Sequence, residues 1–251
     1  MTKPLKTALI SLVFCVPASL AGAQTVSTAA VKEAPKTEQP AKPAAGAPEL
    51  NGYKQAAWGS TKDDVKAALH TEFASPDPKT TLTDLPWEIM RLAGISESDP
   101  DDLLDSDLQW YFGESQDTVL GFYKNRFFFY TASLDRVVPV AEYEKRLTAN
   151  HGAPARTLSF QNSDPDDRKV TGEYELKLWE KKKTTVALGT EKLFPGTEPE
   201  LNFEVAYLSA DIFSEFKNDF TLALNKIKEA EKKESDKALE EQEKHALDVI
   251  Q

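Results

Sequence analysis

From residue 173 onward the chain alternates between polar and apolar side chains. Tyr174, Leu176 and Leu178 interleave with Glu173, Glu175 and Lys177, and Leu201, Phe203, Val205 and Tyr207 interleave with Asn202, Glu204 and Ala206. A period of two places one set on a single face of an extended strand. Between these runs, Lys181, Lys182 and Lys183 suit a solvated turn, and Val186 and Leu188 carry the alternation into a returning strand. The pattern predicts an antiparallel meander whose apolar face needs a cover of helices. The fold class expected is therefore α+β.

Further strands are expected at residues 108–112, 118–123 and 126–134, with Lys124-Asn125 as a tight turn because asparagine tolerates positive φ. Phe127, Phe128, Phe129 and Tyr130 are apolar on both faces, which predicts a central strand covered on both sides. Residues 155–160 read as another strand. Helices are signalled by a different period. Ser60 or Thr61 can cap a helix with Asp63 or Asp64 returning a bond to the cap, followed by Val65, Ala68 and Leu69 at helical spacing. Residues 87–92 make one or two turns closed by Gly94. Val140, Tyr143 and Leu147 line a helix that Gly152 closes in a left-handed cap and Pro154 stops. Helix one with its strands and helix two with its strands follow the same order, a weak internal repeat. From residue 209 the spacing of Phe213, Phe216, Phe220, Leu224 and Ile227 predicts a docked helix. Residues 228–251 continue it as a charged tail, in which Glu229 with Lys233 and Glu240 with Lys244 have the favourable i,i+4 order.

The N-terminus reads as a secretory signal at residues 1–23. Lys3 and Lys6 precede an apolar run at 8–20, and Ala21-Gly22-Ala23 supplies a small-x-small cleavage site. Ser11, Pro17 and Ser19 interrupt a run already too short for a membrane span. Cys15 is the only cysteine, and Phe14 before it is too large for a lipidation site. The mature chain then has no disulfide and no thiolate. Residues 24–52 carry Pro35, Pro40, Pro43 and Pro48 among alanines and charges, with too little apolar surface to offset the entropy of ordering. They are expected to form a disordered tether. The body is expected at 53–227.

Loss of Lys3 and Lys6 with the signal takes the net charge from −11 to −13. That charge repels phosphate backbones, so nucleic acid is not an expected partner. His70, His151 and His245 lack zinc-ligand spacing, and His70 and His151 fall near helix ends, where a cation suits the dipole. No nucleophile elbow and no glycine-rich phosphate loop is present. The acidic stretch 96–107, with Asp99, Asp101, Asp102, Asp105 and Asp107, fails the EF-hand pattern because leucines occupy required ligand or glycine positions. It reads as a solvated loop, an irregular calcium site being the alternative. Trp58, Trp87, Trp110 and Trp179 are read as core in preference to a sugar-stacking platform. No catalytic, cofactor-binding or metal-ligating residue is assigned.

Three segments carry a resemblance. Trp58-Gly59-Ser60-Thr61 enters a helix with Val65; Gly121-Phe122-Tyr123 precedes a hairpin turn; Leu147 precedes His151-Gly152-Ala153-Pro154. Together they resemble a class of bacterial secreted proteins and lipoproteins with a W-G-x-S/T helix start and a helix ending in G-x-P, a class without assigned chemistry. A fainter likeness is to outer-membrane assembly lipoproteins of helix-plus-meander fold, from which this chain departs in lacking a lipobox cysteine. The function expected is a non-enzymatic binding or scaffolding role in the bacterial envelope, periplasmic or secreted, with an envelope protein as partner through the C-terminal helix. A soluble carrier of a small ligand in an aromatic-lined cleft is the alternative, and a carboxylate-dependent hydrolase a third. The processing reading predicts a mature N-terminus at Gln24. Mass spectrometry of the exported protein checks it; an intact Met1 or a lipid on Cys15 would overturn it.

Overall fold

The computed structural model describes residues 50–248, except 75–77, 80, 97–98, 101–102, 104–106, 116, 164–169 and 196–197. The expected signal and most of the expected tether lie outside these residues, as do Asp101, Asp102 and Asp105 of the acidic stretch. A hairpin of β1 (Gly52–Tyr53) and β2 (Ala56–Ala57) leads into α1 (Lys62–Leu69). A single 3₁₀ turn, Leu82–Asp84, precedes α2 (Trp87–Ala93). Then come β3 (Leu108–Phe112), β4 (Thr118–Tyr123), β5 (Arg126–Ser133), α3 (Val140–His151), β6 (Arg156–Ser163), β7 (Val170–Glu180), β8 (Thr184–Leu193), β9 (Glu200–Ser209) and α4 (Ala210–Asp248).

The seven long strands form one antiparallel sheet in the order β3-β4-β5-β9-β8-β7-β6. A helix followed by a meander thus occurs twice, α1 with β3–β5 and α3 with β6–β9, and the two halves join where β5 pairs with β9. The α+β expectation holds, and each face of the sheet receives helices. On one face, Val65 of α1 packs with Tyr111, Leu120, Phe122 and Phe127, and Leu147 of α3 packs with Trp179, Val186 and Leu188. On the other, Ile89 of α2 and Ile212, Phe216 and Phe220 of α4 share a core with Leu108, Trp110, Leu176, Leu178 and Leu208.

A register shift lets one strand serve both faces. Phe122 pairs with Phe127 and Gly121 with Phe129, so Phe128 is an extra residue between them. A bulge turns two successive side chains to one side. Phe128 and Phe129 accordingly join the α2/α4 core, while Phe127 joins the α1 core and Tyr130 packs against it. All three phenylalanines are fully buried. Gly121 leaves room for this: a Cβ there would lie 1.9 Å from the Phe129 ring.

The start of α1 is fastened at several points. Thr61 caps it, accepting from the Asp64 amide while Asp64 accepts from the Thr61 amide. Gly59, at φ 86°, donates to the Phe127 carbonyl at 2.9 Å, and Phe127 donates to the Ser60 carbonyl at 2.9 Å. Trp58 donates from Nε1 to Thr184 Oγ1 at 2.8 Å, and that hydroxyl donates to the Leu50 carbonyl at 2.7 Å. The Trp-Gly entry is therefore a knot between the two halves of the sheet.

Two local expectations change. Strand β6 runs to Ser163, beyond the expected 160, because pairing with β7 continues. Gly152 has positive φ but an extended ψ of −169°, so it closes α3 without a left-handed turn. The expected Lys124-Asn125 turn forms, with positive φ at both residues, 51° and 59°. In the tail, the ion pair among the described residues is Lys237–Glu241 at 3.9 Å, in the opposite order from Glu229 and Lys233; the side chains of Glu240 and Lys244 lie outside the described residues. Phe129→Ala should cost about 3–5 kcal/mol, the usual cost of truncating a buried phenylalanine, and denaturant unfolding measures it. An unmoved transition would refute the bulge packing.

Candidate functional site

Three turns far apart in sequence converge over the α1 face. The β1–β2 turn supplies Lys54, the segment after α1 supplies Thr71, and the β3–β4 turn supplies Glu114 and Ser115. With Tyr53, Leu69, Thr118, Leu120 and Tyr130 they enclose a cleft of about 400 Å³. Buried Leu120 contributes to the lining. One wall is a ring stack: Tyr53 and Tyr130 lie 3.6 Å apart at 13°, and Tyr207, opposite Tyr130 across the β5–β9 pairing, lies 5.0 Å from Tyr53. Burial raises the Tyr53 hydroxyl above its usual range. Burial and the neighbouring Tyr53 do the same for Tyr130, with Lys54 acting in the opposite sense. Both are neutral hydrogen-bonding groups at any ordinary pH.

Lys54 stands at φ 52°, where a non-glycine residue is uncommon. Its Nζ lies 5.2 Å from the centroid of Tyr53. Beside the cleft, and sharing Thr71 and Glu114 with it, is a second hollow of about 400 Å³ edged by Asp63, Lys66, His70 and Glu72. Lys66 and Glu72 form an ion pair there. Among the described residues, no three His, Cys, Asp or Glu side chains come together as a metal site.

The other face of the sheet holds an unusual carboxyl. Glu88 of α2 is completely buried, and neither of its oxygens has a hydrogen bond of good geometry. It points over Gly189 of β8, where a Cβ would lie 2.9 Å from Glu88 Oε1 and 2.7 Å from the Trp87 ring. Burial, then the nearby Glu204 carboxylate, then Glu191, hold the Glu88 carboxyl well above the usual range. Asn202 donates to Glu191 at 2.6 Å. Two carboxyl groups thus converge, as a hydrolase would require, but Glu88 is sealed from solvent and lines neither hollow. In this position burial and the neighbouring carboxylates favour its neutral form.

The remaining candidates are distributed structurally. His70 occupies the left-handed cap of α1 and lines the second hollow. His151 ends α3, but burial and then Lys181 push its pKa down. The cation at that helix end is Lys181, whose Nζ donates to the His151 carbonyl at 2.6 Å. The His245 side chain lies outside the described residues. The tryptophans do not form a platform: Trp110 and Trp179 are buried in separate cores, Trp58 packs on Phe127, and Trp87 on Tyr174. Of the acidic stretch, Asp99 caps the Ser96 amide at 2.8 Å and Asp107 accepts from Lys124 through its carbonyl at 2.7 Å.

The last candidate surface is α4. Ser209 Oγ accepts from the Ile212 amide at 3.3 Å, so the helix starts directly from β9. Its first four turns dock through Ile212, Phe213, Phe216, Phe220 and Leu224. Four charged side chains and a tyrosine fix the approach. Tyr123 donates to Asp219 at 2.7 Å, Lys124 reaches Asp219 at 2.7 Å and Glu215 at 3.1 Å, and Arg126 reaches Glu215 at 2.7 Å. Lys124 and then Tyr123 lower the Asp219 carboxyl; Arg126 and then Lys124 lower that of Glu215. Residues 228–239 are exposed throughout, and Leu222 and Leu239 are more than half exposed.

Sequence reasoning missed both the cleft and Glu88. The second had a signal. Leu85, Glu88, Ile89 and Leu92 recur at helical spacing, which puts the acid on the inward face. The linkage sign follows from the raised pKa. The folded state keeps a proton that the unfolded chain loses near the ordinary 4.5. Stability is therefore greatest below that pH and falls as pH rises toward the folded pKa. Glu88→Gln should abolish this slope and stabilise the protein by about 1–3 kcal/mol at pH 8, as read by urea unfolding across pH. An unchanged slope would refute a protonated Glu88.

No family model, curated protein or solved structure shows significant similarity to this chain.

Proposed function

We propose that this chain is a non-enzymatic binding or scaffolding protein of the bacterial envelope, working in the periplasm or after secretion, with α4 as its docking arm. The compartment rests on the leader-like residues 1–23. The observation that carries the binding role is the division of α4. Its first half is fastened to the sheet by aromatic packing and ion pairs, and residues 228–239 continue the same helix with every side chain exposed. A helix polar on all sides gains nothing from the body beyond nucleation. Such an extension suits a bridge to a second protein. Among the described residues no helix is long and apolar enough to cross a membrane, so this reading gives α4 no spanning role.

Deletion of residues 228–251 is the test. The melting temperature should stay within about 2 °C, since exposed residues contribute little to folding. An envelope protein crosslinked to the full chain in intact cells should be lost. Retention of every crosslink would refute the arm; unfolding of the body would show that the tail packs.

A further inference from the structure

The cleft beneath the β1–β2 turn carries an inference separate from the arm. Its rim bears one cation and one anion, Lys54 and Glu114, both exposed. They come from different turns, and among the described residues neither is in an ion pair. The lining also includes Thr71, Ser115 and Thr118, the Thr71 hydroxyl donating to the Glu72 carbonyl at 3.2 Å, and an apolar part of Tyr53, Tyr130 and Leu120. Lys54 is the residue held at positive φ in its turn, a backbone state that asparagine or glycine would adopt at lower cost. The Lys54 ammonium lies over the Tyr53 ring.

We infer that this cleft binds a small zwitterion of amino-acid or dipeptide size that carries an apolar side chain. Lys54 takes the carboxylate and Glu114 the ammonium group. The three hydroxyls offer both donors and acceptors to the polar atoms between the ligand's charges. The tyrosine wall takes the apolar side chain, as aromatic surfaces do. A volume of about 400 Å³ lies in the range of small-molecule sites. A purely anionic ligand would leave Glu114 facing it, and a purely cationic one would leave Lys54 facing it. Recognition by two opposite charges therefore selects for a molecule that has both.

The experiment is calorimetric titration of the full mature chain with L-phenylalanine and L-phenylalanyl-L-alanine. The comparators are 2-phenylethylamine, which lacks the carboxylate, and 3-phenylpropionate, which lacks the ammonium group. At least one zwitterion should bind about tenfold or more tightly than either comparator, the usual worth of one charge-assisted contact. Lys54→Gln should remove the advantage over 2-phenylethylamine alone, and Glu114→Gln the advantage over 3-phenylpropionate alone. Both side chains are exposed, so each variant should melt as the parent does. The inference is overturned if neither zwitterion binds up to about 10 mM, if the comparators bind equally well, or if both variants keep full selectivity. Loss of residues 228–251 should leave this binding untouched, which separates it from the arm.

Discussion

A single extra residue, Phe128, decides how this sheet is used. Without it, strict alternation would send Phe127 and Phe129 to one face and Phe128 to the other. With it, Phe128 and Phe129 both fill the α2/α4 side, while Phe127 and Tyr130 serve the α1 side. The strand that carries this bulge is also the one that pairs with β9 and so joins the two halves. Gly121 is its necessary complement, because the Phe129 ring occupies the space a side chain would need. The docking of α4 follows, since Phe216 packs against Phe128 and Tyr123, with ring centroids 5.6 and 5.5 Å away.

Much of this was legible in the sequence. The alternation of 173–178 and 201–207 marked β7 and β9, and Val140, Tyr143, Leu147 and Gly152 marked α3 to its observed ends. Thr61 and Asp64 announced the capping box. Those signals are local, set by residues within one turn or one strand of each other. The bulge was not legible, because four consecutive aromatics are compatible with either parity until a partner strand sets the register. Nor was β1–β2, whose strands are only two residues long and hold their place through Thr184, far along the chain.

The candidate sites illustrate the same division. Glu88 sits on the inward side of a helix that the sequence does indicate, but its surroundings come from β8 and β9, about a hundred residues later. Its pKa is raised by burial first and then by Glu204 and Glu191, and the alternation that sets Glu204 opposite Phe203 and Val205 does not say which helix covers that face. The cleft is assembled from the turns at Lys54, Thr71 and Glu114, and no periodicity links them. Loops gather function in this way because strands and helices hold them in place while leaving their side chains free. The two faces of the sheet thus differ in chemistry, with a sealed carboxyl on one and open charged groups on the other.

The length of α4 has a mechanical consequence. Thirty-nine residues of continuous helix make a rod of about 58 Å. About 30 Å of it extends past Ile227, beyond which every described side chain is exposed. A load applied at the tip acts on a long lever with a short seat. The torque is resisted where Tyr123, Lys124 and Arg126 hold Asp219 and Glu215, and where the helix continues directly from β9. The hairpin that bears the bulge is therefore also a brace for the helix, beside its covalent start from β9.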